Sequence, residues 1–312
     1  MITVLSGGRG TPKLLMGLRR VLGDSRLIVI VNTADDIWWN GLYVSPDLDT
    51  VIYLFANILD TNRFWGVKGD TFHFLTQAKR YGIDWPWFNI GDRDLAMHVT
   101  RTFLMNKGYT LSKVTKYITS KLGIESMILP ATDDKIDTYV TTSLGKLHIQ
   151  EYLVKHRAKL DVSRIEFIGL GAAKAAPNVC DAIESSDLII IGPSNPINSI
   201  GPIIHIKEIK EALRNISNPI LAVSPIKAGR PYSGPADKFM KAEGFEPSPI
   251  GLAELYKDHI DYLIIDTADS NYASEINRSF DIDVYVTDIS INNLDDSIRL
   301  AKEIFKFTGI NL

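Results

Sequence analysis

The sequence predicts an α/β protein built on a doubly wound, mainly parallel sheet. Short apolar runs rich in β-branched residues recur along the chain, most of them ending in Gly, Asn, Ser or Pro. Helical patterns lie between several of these runs. The first run feeds a glycine-rich turn that opens a helix. Runs without polar alternation read as strands buried on both faces, and strands alternating with helices read as parallel crossover units.

The elements follow in order. Ile2 to Leu5 forms the first strand and breaks into Gly7, Gly8 and Gly10. Thr11 and Pro12 then open a helix over Lys13 to Val21, with Thr as N-cap and Pro in the first turn, where a missing N–H does no harm. Leu27 to Val31 is the second strand, closed by Asn32. Ser45 to Thr50 starts another helix. From about Asp60 to Arg157 the rhythm changes to helical patterns at Thr71 to Tyr81, Leu95 to Phe103 and Leu111 to Leu122. Two alternating segments then flank Leu144-Gly145 as a hairpin. Strands resume at Ile165 to Ile168, Leu188 to Ile191, Ile220 to Val223, Tyr262 to Asp266 and Val284 to Thr287. Helices are expected between them at Pro177 to Glu184, Lys207 to Arg214 and Leu252 to Lys257, and after them at Leu294 to Phe307. This divides the chain into a core of residues 1–59 and 158–312 and an inserted, mostly helical cap, 60–157, that contains the hairpin. Ligands of open α/β sheets bind outside the carboxyl ends of the strands, which such a cap would cover.

Bulk composition narrows the function. The 312 residues carry 45% hydrophobic and 23% charged side chains with a formal net charge of -3, so nucleic acid is not an expected partner. One cysteine, Cys180, excludes an internal disulfide and a cysteine metal cluster. No apolar run is long enough to cross a membrane and no signal peptide precedes the first strand, so a cytoplasmic location is expected. The six histidines show no paired spacing that suggests zinc.

Strand, glycine turn and helix start together present bare N–H groups at the positive end of a helix dipole, a geometry that binds phosphate. A structural turn is the competing reading. The turn lacks the Gly-Lys-Ser/Thr of a P-loop. Lys13 stands where a dinucleotide fingerprint needs its third glycine, and Asn32 stands where an acidic residue would close the second strand, so a nicotinamide-dependent oxidoreductase is disfavoured. The segment Asn32 to Gly41 holds Asp35, Asp36 and the pair Trp38-Trp39, placed either to stack on a flat ring or to pack the cap. Asp47 either caps its helix or joins Asp49 in the chemistry; Asp49 is positioned to bind Mg²⁺ or polarise a hydroxyl. Asn89 to Asp94 repeats the pattern, with Asp92 as N-cap or site residue. Gly192 to Pro202 is a loop dense in Ser194, Asn195, Pro196, Asn198 and Ser199, suited to a nucleotide. Ser224 to Ala236 is a second polar loop. No nucleophilic cysteine or Ser/His/Asp set is evident, which points to position-driven transfer at phosphorus.

These six ordered segments, SGGRGTPKLL, NTADDIWWNG, SPDLDT, GDRD, GPSNPINSIGP and SPIKAGRPYSGPA, resemble the 2-phospho-L-lactate transferase family of coenzyme F420 biosynthesis over nearly the whole chain. The resemblance implies a Rossmann-like core, a homodimer and a requirement for Mg²⁺. It implies transfer of a phospholactyl, or related phosphoenolpyruvyl, group from a guanosine-diphospho-activated donor to the ribityl hydroxyl of the deazaflavin Fo, releasing GMP. It implies nucleotide binding by Gly7, Gly8, Arg9, Gly10, Thr11, Lys13, Ser194, Asn195 and Pro196. Asn32, Asp36, Trp38, Asn89 and Asp92 would join the binding surface, Asp47 and Asp49 would serve catalysis, and Asp49 would hold the metal. Arg9 stands where the family more often has Thr, and Asn89 where a Lys can stand. A non-catalytic, nucleotide-sugar-binding regulator of the same superfamily is the alternative.

Overall fold

The apolar runs assemble because neither face of their sheet meets water. In the computed structural model, which describes residues 1–83, 87–232 and 234–310, the strands are β1 (Ile2–Ser6), β2 (Leu27–Val31), β3 (Ile37–Trp39), β4 (Leu42–Val44), β5 (Met127–Pro130), β6 (Asp137–Thr142), β7 (Gly145–His148), β8 (Arg164–Ile168), β9 (Leu188–Ile191), β10 (Ile220–Val223), β11 (Ile226–Lys227), β12 (Arg230–Pro231), β13 (Tyr262–Asp266) and β14 (Asp283–Thr287). The α-helices are α1 (Gly10–Leu22), α2 (Pro46–Phe55), α3 (His73–Arg80), α4 (Asp92–Asn106), α5 (Leu111–Lys121), α6 (Val179–Glu184), α7 (Gly201–His205), α8 (Lys207–Asn215), α9 (Ala236–Ala242), α10 (Pro249–Tyr256), α11 (Ala273–Phe280) and α12 (Leu294–Thr308).

Seven strands form one sheet in the order β14-β13-β10-β9-β1-β2-β5, every neighbouring pair parallel. All residues of β1, β2, β9 and β10 are buried, as an unalternating apolar run requires when helices cover both faces. One face packs against α1, α2, α5 and α12, the other against α6, α7, α8 and α10. Each fully buried Ile or Leu contributes about 1.5–3 kcal/mol relative to exposure. The α1–α12 contact is close because Gly17 has no side chain. A Cβ there would lie 2.1 Å from the Ser297 carbonyl oxygen, and the Gly17 N–H instead donates to Ser297 Oγ at 2.7 Å.

Two strands fall on the other side of the expected division. Met127–Pro130, inside the stretch expected to cap the core, is β5, the sheet edge beside β2. Ile165–Ile168, expected as a buried parallel strand, lies in β8, which pairs antiparallel with β6 of the predicted hairpin β6–β7. Arg164 and Glu166 explain the second case: they alternate with apolar residues, and Glu166 faces Lys146 across the small sheet at 2.9 Å. β5 has only four residues and no alternation to mark it. Among the described residues no helix is long and apolar enough to cross a membrane.

Candidate active site

The order of the sheet reverses at β1. The chain runs from β1 outward to β2 on one side, and β9 pairs on the other. Such a switch point opens a crevice between the two loops that leave the neighbouring strands. Here those loops are the glycine turn after β1 and the Gly192–Asn195 turn after β9, and they border a cavity of about 880 Å³. Gly8 adopts φ +55, a left-handed conformation open to glycine. Gly10 begins α1 against the second loop, where a Cβ would stand 1.8 Å from the Pro193 carbonyl oxygen. Thr11 is therefore not the N-cap. It sits buried in the first turn, and Arg9 occupies the cap position without a side-chain bond. Ser194 from the neighbouring loop does that work. Its Oγ accepts the Thr11 N–H at 2.9 Å, bonds the Thr11 hydroxyl at 2.7 Å and donates to the Gly7 carbonyl.

Beside this turn lie two carboxylates. Asp47, in the first turn of α2, accepts from the Gly8 N–H and from Asn32 Nδ2 at 3.0 Å. Asp35 accepts from Asn198 Nδ2 at 2.9 Å, its own carbonyl is held by Gln150 Nε2 at 2.9 Å, and its Oδ1 is buried without a partner. Burial raises the pKa of both, and the Asp47 charge raises Asp35 further. A buried pair of this kind with an unmatched oxygen fits a hard cation, which magnesium sites complete with water and substrate phosphate. Asp35 and Asp47 could hold Mg²⁺, and among the described residues no third His, Cys, Asp or Glu joins them.

Asp49, the residue expected to bind metal, faces elsewhere. Both its oxygens are taken by the guanidinium of Arg101 from α4, one at 3.1 Å and one closer. His98 Nδ1 is 3.6 Å from Asp49, and His98 Nε2 is 3.3 Å from Asp94, which accepts the Tyr53 hydroxyl at 2.6 Å. Burial pulls the Arg101 pKa down, but the charge and hydrogen bonds of Asp49 more than offset it, and the group stays firmly charged. Burial likewise pushes Asp94 up, while His98, Tyr53 and Arg101 bring it below the usual carboxylate range. The result is a buried, ion-paired wall that exposes Asp49, Tyr53, Asp94 and His98 to the cavity.

The cavity thus gathers Gly8, Arg9, Gly10, Asp47, Asp49, Asn89, Ser194 and Asn195 of the predicted set. Gly7, Thr11, Asn32 and Pro196 stand behind this surface as buried supports. Lys13 turns away; its Nζ lies 5.3 Å and 5.2 Å from the ring centroids of Phe64 and Tyr232, with its pKa lowered by burial and by Arg9. Asp92 accepts from Thr71 Oγ1 and from the His73 and Phe74 N–H groups, which makes it the cap of α3. Asp36 and Trp38 line a separate cavity of about 240 Å³ with Tyr43 and His148. Asp36 there accepts from Ser45 and Tyr43, and burial raises its pKa. Strand alternation in β3 explains Trp38: it and Trp39 point to opposite faces, and Trp39 packs on Trp87 at 4.4 Å. The flat-ring surface of the main cavity is made instead by Phe64, Trp65, Trp87 and Phe88. Ser233 of the second polar loop lies outside the described residues; its neighbours Gly234 and Pro235 reach the cavity. Asp35, Asp94, His98 and Arg101 were not singled out from sequence, although Asp94, His98 and Arg101 follow the i, i+4, i+7 spacing of one helical face.

Comparison with known proteins identifies the family. The family model described as 2-phospho-L-lactate transferase CofD matches residues 2–297. The 2-phospho-L-lactate transferase of Methanocaldococcus jannaschii is 42% identical, with 99% of this chain and 98% of that protein covered. The protein of the same name from Methanothermobacter thermautotrophicus is also 42% identical, over 97% and 96%. A crystal structure of a UPF0052 family member from Bacillus halodurans shares the fold at TM-score 0.66 and 14% identity, covering 97% of this chain and 98% of that one. The chain belongs to the CofD family of 2-phospho-L-lactate transferases.

Proposed function

We propose that this transferase joins a guanosine-diphospho-activated 2-phospholactate, or its phosphoenolpyruvate counterpart, to the deazaflavin Fo in coenzyme F420 biosynthesis. The observation that carries the reading is one cavity bordered by an anion-binding turn at the sheet's switch point and by four aromatic rings. The Arg9 side chain, the remaining N–H groups at the start of α1 and Asn195 Nδ2, which has no partner among the described residues, would hold the donor's phosphates. The aromatic rings would stack the deazaflavin. The ribityl hydroxyl oxygen would then bond to the phosphorus next to lactate, the bond from that phosphorus to the GMP oxygen would break, and the hydroxyl proton would leave on the departing GMP phosphate. Asp94, ionised and facing the cavity, is placed to orient that hydroxyl. Asp49, held by Arg101 on its buried side, would face the same ligand from the cavity wall.

Fluorescence titration with Fo, in the presence and absence of GDP and Mg²⁺, tests this. Saturable Fo binding and GMP release from the activated donor are expected. GDP binding without Fo binding would move the chain to the nucleotide-binding regulators, and binding of neither would overturn both readings.

A further inference from the structure

We infer that Arg157 recognises the carboxylate of the transferred acid, an assignment that rests on the proposed transferase function. Three cations with long side chains line the cavity: Arg9, Arg157 and Lys238. Lys238 is already committed. Its Nζ donates to the carbonyls of Ala158, Lys159 and Leu160 at 3.2, 2.8 and 3.0 Å. Arg9 belongs to the glycine turn, where the phosphates are expected. Arg157 stands on the wall at an exposed position, and among the described residues its side chain has no ion pair and no hydrogen bond.

The backbone that presents Arg157 is unusual. Arg157 and Ala158 are successive non-glycine residues at φ 52 and φ 54, in the left-handed region. One such residue is uncommon, and two in a row persist where the surroundings over-determine them. Here they do. Besides Lys238, the buried Tyr152 donates its hydroxyl to Ala158 and Leu160 carbonyls at 3.3 and 3.0 Å, and the Ala158 N–H returns to the Tyr152 carbonyl at 3.0 Å. The segment that ends in this bend begins at Gln150, whose amide holds the Asp35 carbonyl. This stretch thus runs from Asp35, beside the glycine turn where the phosphates are proposed to lie, to a guanidinium on the same cavity that has no partner among the described residues. Lactate, phosphoenolpyruvate and glycerate share one anionic group besides phosphate, a carboxylate close to the phosphorus. A guanidinium matches it with two parallel hydrogen bonds.

The test compares three ligands on the full chain: Fo, F420-0, and the carboxyl methyl ester of F420-0, which keeps the phosphodiester. Wild-type protein should bind F420-0 about tenfold more tightly than the ester, the scale of one charge-assisted pair. Arg157→Gln should remove that difference, leave Fo and ester affinities within about twofold, and leave the thermal midpoint unchanged. Arg157→Lys should restore part of it. Equal losses for F420-0 and its ester would give Arg157 to the phosphodiester and overturn the inference. So would a wild-type protein that binds acid and ester alike. A wild-type protein that binds neither Fo nor F420-0 would instead overturn the transferase reading on which the inference stands.

Discussion

The two ends of the cavity are built on opposite principles. At the switch point the surface is backbone: the Gly8 to Thr11 turn and the Ser194 loop touch at the limit of van der Waals approach and are joined by one uncharged hydroxyl. At the α4 wall the surface is charge: Asp49 pairs with Arg101, and His98, Asp94 and Tyr53 pack beside them almost wholly out of water. The first needs small residues at fixed positions. The second needs every member present, because a buried charge without its partner is far less stable than the pair.

Removing Asp49 should break the comparison most sharply. Asp49→Asn leaves Arg101 charged, buried and half-matched, so a loss of about 3–5 kcal/mol in unfolding free energy is expected by urea denaturation. A double variant, Asp49→Leu with Arg101→Met, should recover most of the stability and none of the transfer activity. Recovery of activity would show that the wall serves only the fold.

A smaller effect is expected at the other end. Ser194→Ala strands the Thr11 N–H and the Gly7 carbonyl, a loss of about 1–3 kcal/mol. It should weaken GDP binding, read by calorimetry, and leave Fo affinity unchanged. Equal weakening of both ligands would mean that the two ends are not separable.

The smallest effect concerns pH. Asp35 and Asp47 have pKa values raised above their unfolded range, first by burial. Their stabilising protonation is complete below the unfolded value and is lost as pH rises through the folded values. Without divalent cation, therefore, these groups favour the fold as pH falls from neutral toward 4. Mg²⁺ should raise the thermal midpoint more at pH 7.5 than at pH 5, and Asp35→Asn should abolish that difference. A midpoint gain independent of pH would place the cation elsewhere.

The contrast also explains what could be read before the structure. The glycine turn was legible because Gly, Thr, Pro and a preceding apolar run act within ten residues of one another. The phosphate end as a whole was legible because its second loop carries the same kind of local chemistry. The charged wall was not, because Asp49 and Arg101 meet across 52 positions that no local pattern connects. Asp92 and Asp94 show the same limit within three residues: both open α4, yet one caps α3 and the other faces the cavity. Trp38 and Trp39 were separated by the pleat of a three-residue strand too short to announce its register. β5 was not legible because Met-Ile-Leu-Pro carries one β-branched residue and ends in proline, unlike the Ile-rich run of β9.

The position of β1 has a consequence for how the molecule is made. This strand lies between β2, which leaves the ribosome soon after it, and β9, whose first paired residue is Leu188. At ~5–20 residues per second, roughly ten to thirty seconds of synthesis separate the two neighbours. The helix that follows the glycine turn waits longer, for Ser297 of α12 to meet Gly17. The glycine turn is thus translated well before the elements that seat it. A nascent chain holds a strand that is fully buried in the finished fold half-paired throughout, which makes this interval the point at which a chaperone would have most to protect.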